Sequence, residues 1–526
     1  MIFIKRRKSK SKVKLEAKHH QEASRQDENK GQFSPAYKSV YELIEQAKRS
    51  SDFVQTSISN DKGRLIASFY NSMIDDRIYK EYIMKVFKEG GLKAHHFHHI
   101  AEVKQHLPIP NIVITDNLQT IGEKMLKGYI VLQLNEGDKV CALINAANDN
   151  LGLRKDNNTE NEYSVVGPKI GLVENLDVNL HLIRQQMSTN KFVVRELTVG
   201  SQSKTRVALL YVENITNPQH VNTMLNRLEN IEFDHLMDTS LLDQLVADNS
   251  NTPFPLFLTT ERVDRVIYSL VNGQVSVMAN GSPYAISGPV TLLDFFSTPE
   301  DYYLPWIIGS FLRIIRIFGV FFSILATSIY ISVLTFHYEM IPEDLLGPII
   351  YSRANVPFPP VFEALFLEIT IELLREAGSR LPTKVGQTLG IVGGIVIGQA
   401  SVEAALTSNI LLIIVALAAL ASFTTPIYKM SNTIRFLRFP FILLASLWGG
   451  LGIVMGIIFM FVHLMRLESL GTPYMLPFYP FRAGDFKDSL IRLSLPHNAG
   501  RPSYSRPKSK WKYSKREAGQ KKDIDE

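Results

Sequence analysis

Five carboxylates stand in or beside strongly apolar sequence, and their spacing is the first chemical feature of the chain. Glu368, Glu372 and Glu376 repeat at i, i+4 and i+8, which places them along one face of a helix. Glu363 precedes them, and Glu403 stands alone in Gly398-Gln-Ala-Ser-Val-Glu403. Like charges four residues apart repel, and an ionised carboxylate facing lipid costs ~3 kcal/mol. Such groups must therefore be wet, protonated or paired. Two readings follow. Glu363, Glu368, Glu372 and Glu403 line a water-filled, cation-favouring path, or the stripe is held in interhelical pairs with Arg375 or Arg380. Glycines offer a second pattern. Gly390, Gly393, Gly394 and Gly398 recur within one apolar segment. That spacing suits close helix packing between copies of the chain better than it suits a nucleotide loop. Arg313 and Arg316 read as first-turn anchors whose stems snorkel to an interface.

Other candidates carry less. His95, His96, His98 and His99, with His106 nearby, could hold zinc through His95 and His99, but no Cys or carboxylate completes a ligand set. There is no Gly-rich phosphate loop, nucleophile elbow or zincin helix, so no enzyme activity and no cofactor are expected. Cys141 is the single cysteine, which excludes an intrachain disulfide and fits a reducing compartment.

The elements that must position these residues fall into a polar first part and an apolar second part. The chain has 526 residues and a net charge of +6. Basic blocks at Lys5–Lys18 and Arg501–Lys522 read as disordered and drawn to anionic lipid rather than to nucleic acid, since no base-reading module accompanies them. Residues 1–32 form a basic arm. Residues 33–150 and 151–303 read as two α/β subdomains of a cytoplasmic head, separated by the Asn/Asp-rich stretch 149–162. In the first, Val40, Leu43, Ile44 and Ala47 share a helical face. Asp75–Lys88 is a second helix with Ile78, Tyr82 and Lys85 on one side, ending at Gly90-Gly91. Phe53–Ser59 pairs with Arg64–Tyr70, and Tyr129–Leu134 with Lys139–Ile144. In the second, Leu176–Met187, His220–Ile231, Leu241–Ala247 and Arg265–Val271 are helical. Phe192–Val199, Arg206–Glu213, Gln274–Met278 and Tyr284–Ser287 are strands.

Residues 304–481 read as an all-α integral membrane domain of about four to six segments. Trp306–Phe336, Val385–Leu406, Ile410–Tyr428 and Phe439–Met465 are each long enough to span. Val361–Leu374 reads as a half-span or in-plane helix. Basic loops at 375–384 and 429–438 favour the cytoplasmic side. Placing both ends there needs Val361–Leu374 as a crossing and a further partial one near Leu470–Phe481. Residues 482–526 are then a basic cytoplasmic tail. A secretory signal peptide is not expected at Met1–Ile4.

A family resemblance rests on motifs that run in order through residues 150–480. They include Glu196-Leu-Thr-Val-Gly-Ser-Gln-Ser-Lys-Thr-Arg-Val-Ala-Leu-Leu-Tyr211, Pro253-Phe-Pro255, Thr260-Glu-Arg-Val-Asp-Arg265 and Asp294-Phe-Phe-Ser-Thr-Pro-Glu-Asp-Tyr-Tyr303. Farther on stand Val356-Pro-Phe-Pro-Pro-Val-Phe-Glu-Ala-Leu365, Leu374-Arg-Glu-Ala-Gly378, Arg380-Leu-Pro382, Gly386–Gly393, Ile397–Ala404, Arg438-Phe-Pro440 and Gly471-Thr-Pro-Tyr474. Through these the chain resembles the A subunits of GerA-type spore germination receptors. The resemblance implies a multi-pass protein of the spore inner membrane. It also implies a permease-like B subunit and a lipoprotein C subunit as partners, and a homo-oligomer that conducts ions when a germinant binds. The stage V sporulation AF-type proteins, accessory ion channels, share the same motifs. A membrane-anchored signalling scaffold and a secondary transporter are the readings of other classes; the transporter lacks two matched halves.

Overall fold

A computed structural model describes residues 37–60, 63–85, 99–107, 109, 111–148, 162, 166–494 and 497–513. The chain divides into two compact units, 1–148 and 149–526.

In the first unit, α1 (Val40–Ala47) buries the four residues that share its apolar face. Its first turn is closed by Ser39, whose hydroxyl accepts from the Glu42 amide, one of the donors a helix start leaves free. The strands are β1 (Phe53–Asn60), β2 (Gly63–Tyr70), β3 (Val113–Thr115), β4 (Tyr129–Gln133) and β5 (Cys141–Asn145), with α2 (Leu118–Met125) between β3 and β4. They form one antiparallel sheet in the order β1-β2-β4-β5-β3. Ile58, Leu65, Ala67 and Phe69 meet Tyr79, Ile83 and Val103 on one face. On the other, Tyr70, Val131, Cys141 and Leu143 meet α1 and α2. The helical segment Ile78–Met84 turns Tyr79 and Ile83 inward, whereas Tyr82 is exposed. The expected face of Ile78, Tyr82 and Lys85 is therefore one position out of phase, because this segment winds with π rather than α periodicity. Its expected end at Gly90-Gly91 lies outside the described residues, as do the arm 1–32 and His95, His96 and His98.

The second unit repeats the plan. α3 (Leu176–Gln186) precedes β6 (Phe192–Val199) and β7 (Thr205–Val212). Next come α4 (Pro218–Glu229), α5 (Thr239–Val246), β8 (Leu258–Thr260), α6 (Val263–Val271), β9 (Val275–Ala279) and β10 (Ala285–Gly288). The sheet order is β6-β7-β9-β10-β8, again antiparallel throughout. It is the order of the first sheet. Asn175, Asn217 and Asp238 cap α3, α4 and α5, and Pro218 takes the first position of α4, where its missing N–H is not needed.

The same unit continues into a helical bundle of α7 (Trp306–Phe336), α8 (Glu343–Arg353), α9 (Pro360–Ser379), α10 (Thr383–Glu403), α11 (Asn409–Ser422) and α12 (Tyr428–Arg466). α12 is broken at Gly449, whose φ of 58° and ψ of −136° are available to glycine alone. The break folds the helix into a hairpin. Thr433 donates to the Pro253 carbonyl, while His463 Nε2 lies 2.9 Å from the hydroxyl of neighbouring Thr252. A straight helix would hold those two levels about 45 Å apart. Gly452 sits against the Leu444 carbonyl, so the two legs touch where a Cβ would collide.

These contacts fix the course of the bundle. α7 leaves the α/β part and ends with Phe336 and His337 against Gly449 and Gly450. α9 returns, α10 goes out, α11 returns, and the legs of α12 go out and back. Among the described residues the bundle thus has six legs. Several expectations change, among them the single segment Phe439–Met465, which the hairpin at Gly449 divides. Val361–Leu374 belongs to a longer, 20-residue helix of about 30 Å. Residues 429–438 are the first turns of α12, not a loop. The sixth leg of the bundle is the second half of α12. Leu467, Leu470, Tyr474 and Met475 instead pack in one core with Leu256, Phe257 and Phe295 of the α/β part. The stretch 497–513 is not loose either: Ser505 donates to the Asn272 carbonyl, and the Lys508 amide to that of Ile215.

By length and composition, Trp306–Phe336 and Tyr428–Arg466 are apolar enough to cross a membrane. Asn409–Ser422 is a shorter apolar helix, ending six residues before the expected Tyr428. The bundle also exposes large apolar side chains, among them Ile307, Phe311, Phe318, Leu420, Leu447 and Phe459.

Candidate functional site

The stripe of α9 runs through the interior of this apolar bundle, and each carboxylate meets arginine. Glu363 Oε1 accepts from Arg353 of α8 at 2.8 Å, and Oε2 from the Ser408 amide at 3.1 Å, at the start of α11. One turn on, Glu368 Oε2 accepts from Arg438 at 3.0 Å and Oε1 from the Thr327 hydroxyl at 3.1 Å. Both Glu368 and Arg438 are 1% exposed. Arg438 spends its other donors on Ser323 Oγ at 2.6 Å and the Ala418 carbonyl at 2.7 Å. One arginine of α12 thus ties α7, α9 and α11 together. Glu372 bonds Arg375, with Arg435 4.0 Å away, and Glu376 pairs with Arg380 at the surface.

This pairing lets a carboxylate-bearing helix run the length of an apolar bundle, since each charge meets its counter-charge rather than lipid. Arg375 and Arg380 take Glu372 and Glu376. Glu368, the deepest of the three, takes Arg438 instead. In the sequence Arg438 stands in a run with Lys429 and Arg435 that reads as a basic loop. Its i, i+3 spacing with Arg435, matched to Glu368 and Glu372 on another helix, was the available signal. Glu403 lies apart from the ladder, exposed and bonded to Gln399 at 2.8 Å.

The glycines of α10 divide. Gly393 faces Leu374 of α9, where a Cβ would stand 3.0 Å from Cδ2, and Gly398 faces Leu412. A tighter α9–α10 contact lies elsewhere: a Cβ on Gly386 would lie 2.6 Å from the Gly378 carbonyl. Gly394 has open space before it, and Gly390 lies within the same helix.

A second charged cluster joins the bundle to the α/β part. Asp301, fully buried, accepts from Arg313 Nε at 2.8 Å and from Arg316 Nη2 at 2.5 Å. Burial alone would raise its carboxyl, but the Arg316 and Arg313 guanidiniums outweigh that and hold it below the usual carboxylate range. Asp488, from the segment after the bundle, accepts from Arg313 at 3.4 Å and from the Tyr302 hydroxyl at 2.7 Å. Arg492 caps the carbonyls of Asp301 and Leu304 at 2.5 and 2.6 Å. Arg313, buried, and Arg316, partly buried, are therefore couplers rather than snorkelling anchors, because a counter-charge waits inside the protein.

Of the histidine cluster only His99 and His106 lie among the described residues, and no group of three or more potential metal ligands is found among those residues. His99 is exposed and heads a short turn, its amide donating to Glu102.

The family model described as Bacillus/Clostridium GerA spore germination protein matches residues 41–504. Spore germination protein GerQA of Bacillus cereus is 48% identical over 485 residues, covering 92% of this chain and 96% of that protein. Spore germination protein GerIA of Bacillus cereus is 47% identical, covering 89% and 69% respectively. The crystal structure of the N-terminal domain of the A subunit of the Bacillus megaterium spore germinant receptor GerK3 aligns with a TM-score of 0.35 and 22% identity. It covers 47% of this chain and 91% of that one. A helical bundle with a paired-charge interior, carried on a mixed α/β part, thus occurs in a chain that belongs to the GerA spore germination protein family and has a role in spore germination.

Proposed function

We propose that this chain is the membrane subunit of a nutrient germinant receptor, and that its bundle opens a cation path when the receptor is triggered. The observation that carries the reading is the Glu368–Arg438 pair, fully buried between the helices of the bundle. A static bundle gains little from such a pair over an apolar contact. A bundle with two arrangements gains a lock: paired, α9 is neutral and packed; released, its carboxylates are free to meet water and a passing cation. The six legs put the α/β part and the segment 467–513 at one end, which is the cytoplasmic end by the basic residues around Arg375–Lys384 and Lys429–Arg438. The exposed apolar belt suits lipid. Ion conduction by a homo-oligomer, a permease-like B subunit and a lipoprotein C subunit complete the proposal, in the spore inner membrane. The accessory role of the AF-type relatives would use the same lock.

The test is made in spores carrying this chain as the sole copy. Glu368→Gln alone should lower its abundance, since Arg438 is left buried without its counter-charge. Glu368→Gln with Arg438→Gln should restore abundance and make cation release independent of a rich nutrient mixture. A double variant that is abundant and still releases cations only on nutrient addition would sink the lock, and with it this ion path.

A further inference from the structure

The head-facing end of the bundle carries one guanidinium more than its carboxylates neutralise. Arg375, Arg435 and Arg438 stand against Glu368 and Glu372, three positive charges to two negative. Arg438 is fully engaged with Glu368, Ser323 and the Ala418 carbonyl. Arg375 and Arg435 are not. Each gives a bond to one neighbour, Glu372 and Asn432 respectively. Arg375 Nε and Nη1 and Arg435 Nε remain buried without an acceptor. Unpaired guanidinium donors away from water are costly, and a native structure leaves few of them.

Their level and surroundings say what would satisfy them. Arg435 lies two residues from Thr433, which touches Pro253, so the cluster sits where the bundle meets the α/β part. The Arg375 guanidinium is 5.4 Å from the centre of the Phe423 ring, and that ring is 63% exposed. On the same two helices, toward the middle of the bundle, Ile369 and Leu373 of α9 and Leu420 of α11 are exposed. A forked cation at the membrane border, with apolar surface running inward from it, matches a phosphate head followed by acyl chains.

We propose that Arg375 and Arg435 form a binding site for a phosphate-bearing anion, supplied by an anionic phospholipid headgroup or by free phosphate. The proposal rests on the membrane reading above. The full chain, purified in detergent and stripped of lipid, is titrated with phosphatidylglycerol, phosphatidylcholine and inorganic phosphate, and bound molecules are counted by native mass spectrometry. Phosphatidylglycerol should bind more tightly than phosphatidylcholine. Arg375→Gln and Arg435→Gln should each weaken it about tenfold, the worth of one charge-assisted contact. Arg380→Gln, at the exposed Glu376 pair, should leave it unchanged. Displacement by millimolar inorganic phosphate identifies free phosphate as the source; lack of displacement identifies the headgroup. Equal binding of the two lipids, or binding unchanged in both variants, overturns the site. Should Arg375→Gln fail to fold, Arg375→Lys replaces it, and the wild-type comparison of the two lipids decides. Failure of the membrane reading shows separately, as release of the protein from membranes by alkaline wash.

Discussion

The two five-stranded sheets share one strand order and differ in what surrounds them. The first sheet buries its faces under its own helices, in two closed clusters. The second closes one face with α3 and α6. Its other face lies under α4 and α5, and there the core does not stop. Val207, Val277 and Ile286 belong to the same contiguous cluster as Val320 and Ile324 of α7, Met430 and Ile434 of α12, and Tyr474 beyond it. One topology thus serves as a self-contained unit in one place and as the base of a helical bundle in the other. The lesson is that autonomy is set by what closes each face, not by strand order.

The comparison breaks most sharply at Asp301. Asp301→Asn leaves Arg313 and Arg316 facing a neutral group inside the junction, and should cost about 3–5 kcal/mol. Calorimetry in detergent should show the unit from residue 149 onward melting earlier while that of residues 37–148 stays in place. Equal shifts in both transitions would mean that the units do not fold independently.

A smaller effect is expected at the hairpin. Gly449→Ala places a side chain in a backbone conformation reserved for glycine, with its Cβ 2.9 Å from the Phe336 ring, at a cost of about 1–3 kcal/mol. Protease protection of residues 440–460 should fall, and that of the first sheet should not change. Full protection in the variant would remove Gly449 as the determinant of the turn.

Acid should also separate the two. His220 is buried in α4, and burial, aided by Arg506, lowers its pKa from the usual 6.5 to about 4. Between those values the unfolded chain holds a proton that the folded chain lacks. Stability therefore rises with pH across this window and is lost as pH falls from about 6.5 toward 4, by about 1 kcal/mol per unit. His220→Gln should flatten that dependence for the second unit. A slope that persists in the variant would assign it to another group.

The smallest effect is a null. Cys141 lies wholly buried in β5, and burial pushes its thiol up to about 12. Thiol reagents at neutral pH should leave it untouched until the first unit opens. Its labelling rate should be the same in wild type and in Asp301→Asn. Faster labelling in the variant would show coupling between the units.

Much of this was legible in the sequence. α1, β6, β7, α3 and α7 stand close to where period and caps place them, because local spacing decides which face is apolar. β3 and β8 were not legible. Each is a three-residue edge strand, too short to show alternation, and without them neither the shared strand order nor the duplication could be seen. The carboxylates of α9 were visible as a stripe that needed partners. Which partners it found was not visible, since Arg438 lies 70 residues from Glu368.

By itself the sequence determined the family, the polar-then-apolar order, most helices and strands, and the need to neutralise Glu363, Glu368 and Glu372. Those follow from composition, motif and local periodicity. Only the tertiary structure decided the hairpin at Gly449, the return of the segment 467–513 to the second sheet, and the pairing of Glu368 with Arg438 and of Asp301 with Arg313. Each depends on residues distant in the chain meeting in space, and solvent exclusion there makes the choice of partner an energetic necessity that no local pattern records.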